Sequence, residues 1–115
     1  MKEEFLDYIE DIIQAMNDAL SFVKEMDYDG FLRDKKTIYA VNRALEIIGE
    51  ATKNIPASVK NSYPQIPWKK MAGMRDKVIH EYFGVDLKRV WSTVKKDTPG
   101  LKPLFEKILS DSKQN

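Results

Sequence analysis

The chain has 115 residues, 43% of them hydrophobic and 32% charged, with a formal net charge of +1, which leaves room for one globular domain spanning 1–115. With no cysteine and a single histidine, His80, a disulfide framework and a Cys/His zinc site are both excluded; a hard-metal carboxylate site stays formally open, but no acidic loop of the EF-hand type appears, and neither metal nor cofactor is expected. No window reaches the roughly 18 apolar residues of a membrane span, and the N-terminus MKEEFLDYIEDIIQ is acidic where a leader would be basic and then apolar, so the expected setting is the cytoplasm.

Residues 3–26 place Phe5, Ile9, Ile12, Met16, Leu20 and Val23 three or four apart, one stripe on an amphipathic helix. Asp27, Tyr28, Asp29 and Gly30 interrupt it. A second helix is expected from Asp34, a good N-cap, with Ile38, Val41, Leu45, Ile48, Thr52 and Ile55 facing inward until Pro56 ends it. PASVKNSYPQIP holds three prolines in twelve residues and reads as a connector with at most one helical turn.

A third helix is expected from Trp68 to about Tyr82, closed by Gly84, with Gly73 as an internal weak point. Asp86 then caps a fourth. Its stripe of Leu87, Val90, Trp91 and Val94 continues in phase as Leu101, Leu104, Phe105 and Ile108, but Pro99, Gly100 and Pro103 predict a break with a restart near Pro99 or Gly100. Nothing alternates with a period of two, so the expected class is all-α, an antiparallel bundle of four to five helices.

Charge divides along the chain. Residues 1–59 carry 7 Lys or Arg against 12 Asp or Glu, net −5, whereas residues 60–107 carry 11 against 5, net +6. Such an asymmetry fits an anionic ligand on the basic part, although solvated helix faces produce it too.

On a helical wheel of about 100° per residue, Arg75 sits in the middle of the apolar arc of the third helix, between Met71 and Ile79, while His80 falls about 140° away at the edge of the polar arc. A guanidinium inside an apolar face needs a partner. Glu46 or Glu50 on the second helix could supply a carboxylate, a ligand phosphate could serve instead, and a snorkelling or helix-stapling arginine is the structural alternative.

Arg75, four residues, His80, one residue, Tyr82, in the run MAGMRDKVIHEYFGVD, resembles the R-x4-H-x-Y motif of HepT-like toxins of the HEPN superfamily. RALEIIGEA, IPWKKMAGMR, VDLKRVW and DTPGLK are similar to further segments of that family, in its order, from about Phe31 to Leu109. At Asp76 the family often has asparagine; the aspartate keeps a polar side chain there and adds a negative charge.

The resemblance implies a HEPN-like helical bundle and the toxin of a type VII toxin-antitoxin system, a metal-independent endoribonuclease with Arg75 and His80 as its catalytic residues. It further implies a homodimer with the motif at the interface and RNA as substrate. The implied partner is a cognate minimal nucleotidyltransferase antitoxin that places AMP on Tyr82. The competing class is a non-catalytic helical module that binds nucleotides or docks a nucleotidyltransferase, with Arg75 and His80 holding an anion.

Overall fold

The computed structural model describes residues 4–74 and 87–113, and among these there are helices and connecting turns but no strand. The chain is all-α. Three long helices carry it: α1 (Phe5–Phe22), α3 (Lys35–Lys53) and, at the C-terminal end, α7 (Thr98–Lys113). Between them lie the short helices α2 (Tyr28–Leu32), α4 (Ala57–Ser62), α5 (Trp68–Ala72) and α6 (Leu87–Ser92), with a π-helical turn at Thr93–Asp97 joining α6 to α7.

The stripes read from the sequence form the core. In α1, Ile9, Ile12 and Met16 are buried, with Val23 just beyond its end, whereas Phe5 and Leu20 pack partly buried against the same cluster. Helix α1 ends at Phe22 rather than near residue 26. There the bonds from Lys24 N to Ser21 O (3.3 Å) and from Met26 N to Val23 O (3.1 Å) tighten the backbone into i→i−3 turns. Helix α1 packs against α3 and α7, and α3 against α5.

The DYDG interruption folds into a helix of its own, which the turn-forming residues alone did not predict. Asp27 accepts a hydrogen bond from Gly30 N at 2.8 Å and so caps α2. Phe31 anchors the short helix, fully buried with its ring 5.2 Å from that of Trp91 in α6. Asp34 caps α3 as expected, taking Thr37 N at 3.1 Å, and that backbone hydrogen bond holds its carboxyl below the ordinary aspartate range. The proline-rich connector also contains more helix than expected, since α4 runs for six residues, Ala57–Ser62, behind Pro56 at its N-cap.

Of the expected third helix, α5 is described to Ala72, with Gly73 as its C-cap; the remainder to Tyr82, the closing Gly84 and the Asp86 cap lie outside the described residues. The expected break at Pro99–Gly100 does not occur. Helix continues from Leu87 to Lys113, and the strain of losing the Pro99 N–H is met one turn earlier by widening the helix. Thr98 closes the wide turn, sending both its backbone N–H and its hydroxyl (2.9 Å) to Thr93 O. Val90, Val94, Phe105 and Ile108 are all buried, so the stripe stays in phase through the bulge. Pro103 lies inside α7 rather than in a first turn.

Gly100 is exposed within this continuous helix, and a Cβ there would meet nothing within 4 Å. No glycine among the described residues has positive φ. Gly100→Ala should therefore stabilise the protein by up to about 1 kcal/mol through helix propensity alone, read as a rise in urea midpoint with unchanged slope.

Candidate functional site

Arg75, Asp76, His80 and Tyr82 lie outside the described residues, so the structure shows the frame that leads into and out of the motif. On the leading side, α5 is held by its first residue. Trp68 is buried, donates from Nε1 to Tyr63 O at 3.0 Å, and meets Phe105 of α7 edge-on, with centroids 5.5 Å apart and planes at 80°. Met71 and Met74, three and six residues on, continue into the core at 0% and 7% exposure.

Tyr63 extends the anchor. Its hydroxyl donates to Asp111 Oδ2 at 2.7 Å, tying the connector to the end of α7, and Lys107 Nζ lies 3.4 Å from the other carboxylate oxygen. The hydrogen bond to Asp111, with burial, pushes the Tyr63 phenol up to about 12, and the same bond holds Asp111 below the usual carboxylate range.

The two carboxylates considered for Arg75 are on α3. Glu46 accepts from Arg43 Nη1 at 3.3 Å with its side chain 30% exposed, and Glu50 is exposed. With Tyr8 and Asp11 of α1 they line a cavity of about 330 Å³. Neither is a buried counter-charge waiting in the core, and their relation to Arg75 lies outside the described residues.

Two features were not anticipated. Asn42 is 6% exposed, and its Oδ1 has no hydrogen-bond partner among the described residues. Its burial was readable, since it stands four residues after Ile38 and three before Leu45 on the same stripe; its unsatisfied oxygen was not. The second is a groove of about 320 Å³ between α5 and the widened turn, lined by Lys70, Met71 and Met74 on one side and Lys96, Asp97 and Leu101 on the other. Lys70 Nζ stands 3.8 Å from Asp97 Oδ2, with side chains 61% and 41% exposed, whereas Lys95 turns away to lie 5.0 Å over the Trp91 ring. The basic run of the sequence hinted at these lysines, but it is the fold that brings residues 96–97 opposite Lys70.

Residues 12–108 match the family described as Ribonuclease HepT-like. The chain is 56% identical over 108 residues to a protein of Thermococcus cleftensis named "Probable ribonuclease HepT", an alignment covering 94% of this chain and 98% of that one. Two candidate RNases of Methanocaldococcus jannaschii are 49% and 48% identical over 110 residues, in each case 96% of this chain, and 95% and 91% of theirs. No solved structure matches it.

The Tyr63–Asp111 bond gives a pH signature. A phenol raised in the folded state stabilises the protein below pH about 10, its ordinary value, and that contribution is lost as pH rises toward 12. Tyr63→Phe should lower the melting temperature at neutral pH, and the deficit should close in strong alkali. In a phenolate absorbance titration one of the five tyrosines should ionise late, and that late phase should be missing from the variant.

Proposed function

This chain belongs to the HepT-like ribonuclease family, and from that premise we propose that it is a metal-independent endoribonuclease acting as the toxin of a toxin-antitoxin pair. The observation that carries the proposal is the family match itself, which runs through the whole Arg75–Tyr82 motif. The groups supplied by that motif suit transesterification of RNA. His80 takes the proton of a ribose 2′-OH, a role that suits histidine because its unperturbed pKa is about 6.5, and the freed oxygen attacks the adjacent phosphorus. The P–O5′ bond breaks, a 2′,3′-cyclic phosphate remains, and the departing 5′-oxygen takes up a proton. Arg75 offsets the charge that builds on the phosphorane oxygens.

One chain has one histidine, whereas removing one proton and delivering another are best served by two groups. A homodimer with the two His80 side chains along a common cleft supplies both. Protein groups suffice for this chemistry, so no metal is assigned a step in it. No helix among the described residues is long and apolar enough to cross a membrane.

Purified protein, shown by sedimentation equilibrium to have twice the 13.3 kDa chain mass, should cleave RNA in excess EDTA and leave 2′,3′-cyclic phosphate ends. His80→Ala should lower the rate by roughly 10²- to 10⁴-fold. Cleavage abolished by EDTA and restored by magnesium would overturn the acid-base scheme. Binding of RNA without cleavage would make the protein a non-catalytic module.

The proposed partner is a minimal nucleotidyltransferase antitoxin that transfers AMP from ATP to the Tyr82 hydroxyl, forming an O–P bond at the α-phosphorus and releasing pyrophosphate. A phosphodiester charge two residues from His80 opposes the approach of RNA phosphates. Co-expression should add AMP mass to the Tyr82 peptide and silence cleavage, while Tyr82→Phe should stay active and resist silencing. Silencing without that mass increase would mean inhibition by occlusion.

A further inference from the structure

The groove between α5 and the π-helical turn is unused by the chemistry above. Met71, Met74 and Leu101 give it an apolar lining, Lys70 and Lys96 border it from opposite sides, and its volume of about 320 Å³ lies in the range of small-ligand clefts. Met74 is followed in the chain by Arg75, one Cα step of about 3.8 Å. A ligand held here therefore sits beside the start of the motif. Asp97, the one carboxylate among the described residues of the lining, stands 3.8 Å from Lys70 at the outer limit of an ion pair, and both side chains are well exposed, so the pair holds little and yields easily to a competing anion.

We infer that this groove is a backbone subsite for single-stranded RNA, in which Lys70 and Lys96 take phosphodiesters next to the cleavage motif and Asp97 occupies Lys70 until RNA displaces it. The inference rests on the ribonuclease reading and adds the site that holds the substrate strand. Lysine suits the task because a compact ammonium on a flexible stem follows a backbone phosphate without reading the base. The wide turn is what makes the site. Lys95 is engaged over Trp91, and its neighbours Lys96 and Asp97 are the residues delivered to the groove.

The test is fluorescence anisotropy of a labelled 2′-O-methyl oligoribonucleotide, which lacks the attacking hydroxyl and stays intact, titrated with wild-type protein, the Lys70→Ala/Lys96→Ala double variant and Asp97→Asn over a range of salt. The double variant should weaken binding on the order of tenfold and flatten the log Kd against log salt slope by about 1.4, two contacts at about 0.7 each. Asp97→Asn should tighten binding severalfold, since it removes a repelling charge and releases Lys70. That opposite sign cannot come from misfolding. In cleavage assays with unmodified RNA, the double variant should raise KM and leave kcat nearly unchanged. A double variant with wild-type affinity and slope, in a protein that cleaves RNA, would overturn the subsite and leave the ribonuclease reading standing. Wild-type protein that neither binds nor cleaves RNA would overturn both.

Discussion

Trp68 donates its indole N–H to the carbonyl of Tyr63 and turns the edge of its ring to Phe105, and the placement of the rest of α5 follows from that pair of contacts. The two contacts point in different directions, so together they limit both the position and the rotation of the short helix. With Trp68 held, Met71 and Met74 fall on the core side and Lys70 is left at the groove. A five-residue helix has little stability of its own. Its orientation is borrowed from α3, against which it packs, and from α7, directly through Phe105 and indirectly through Tyr63 and Asp111.

Much of the fold was legible because burial imposes a period. Ile38, Val41, Leu45, Ile48 and Thr52 trace the inner face of α3, Ile55 is buried just past its end, and Asp34 is its cap. What escaped was structure made by contacts between distant segments. Asp27, Tyr28, Asp29 and Gly30 look like a plain turn, and only the seat for Phe31 beside Trp91 makes a helix of that stretch worthwhile. Pro99 and Gly100 have the chemistry of a break. The threonine that replaces the break with a wide turn, Thr98, carries no signal that separates it from any other buried threonine.

The candidate site was legible in a different way. Arg75, His80 and Tyr82 form a motif whose meaning comes from resemblance, because one arginine and one histidine five positions apart would not by themselves distinguish an active site from a helix surface. Glu46 and Glu50 were selected by charge and helix position, and the structure leaves Glu50 exposed and Glu46 half-buried, engaged by a neighbour on its own helix. The groove lysines were hidden by the opposite difficulty. Lys70 and Lys96 stand 26 positions apart in a stretch crowded with basic residues, and nothing in their spacing singles them out.

The π-helical turn at Thr93–Asp97 also bears on how the chain tolerates changes in length. A turn closed by i→i+5 bonds holds about one residue more than an α turn, so the helix stores a surplus residue between two flanks that both face the core correctly. Losing a single residue there lets an ordinary α turn close in its place, and Val94 and Phe105 keep a common inner face. The same loss in the ordinary α-helical stretch between Thr98 and Ile108 rotates one half of the helix by about 100° against the other and turns apolar residues to water. The wide turn is thus the stretch of this long helix best able to absorb the loss of one residue, and the side chains that such a loss displaces include Lys96 and Asp97 at the groove.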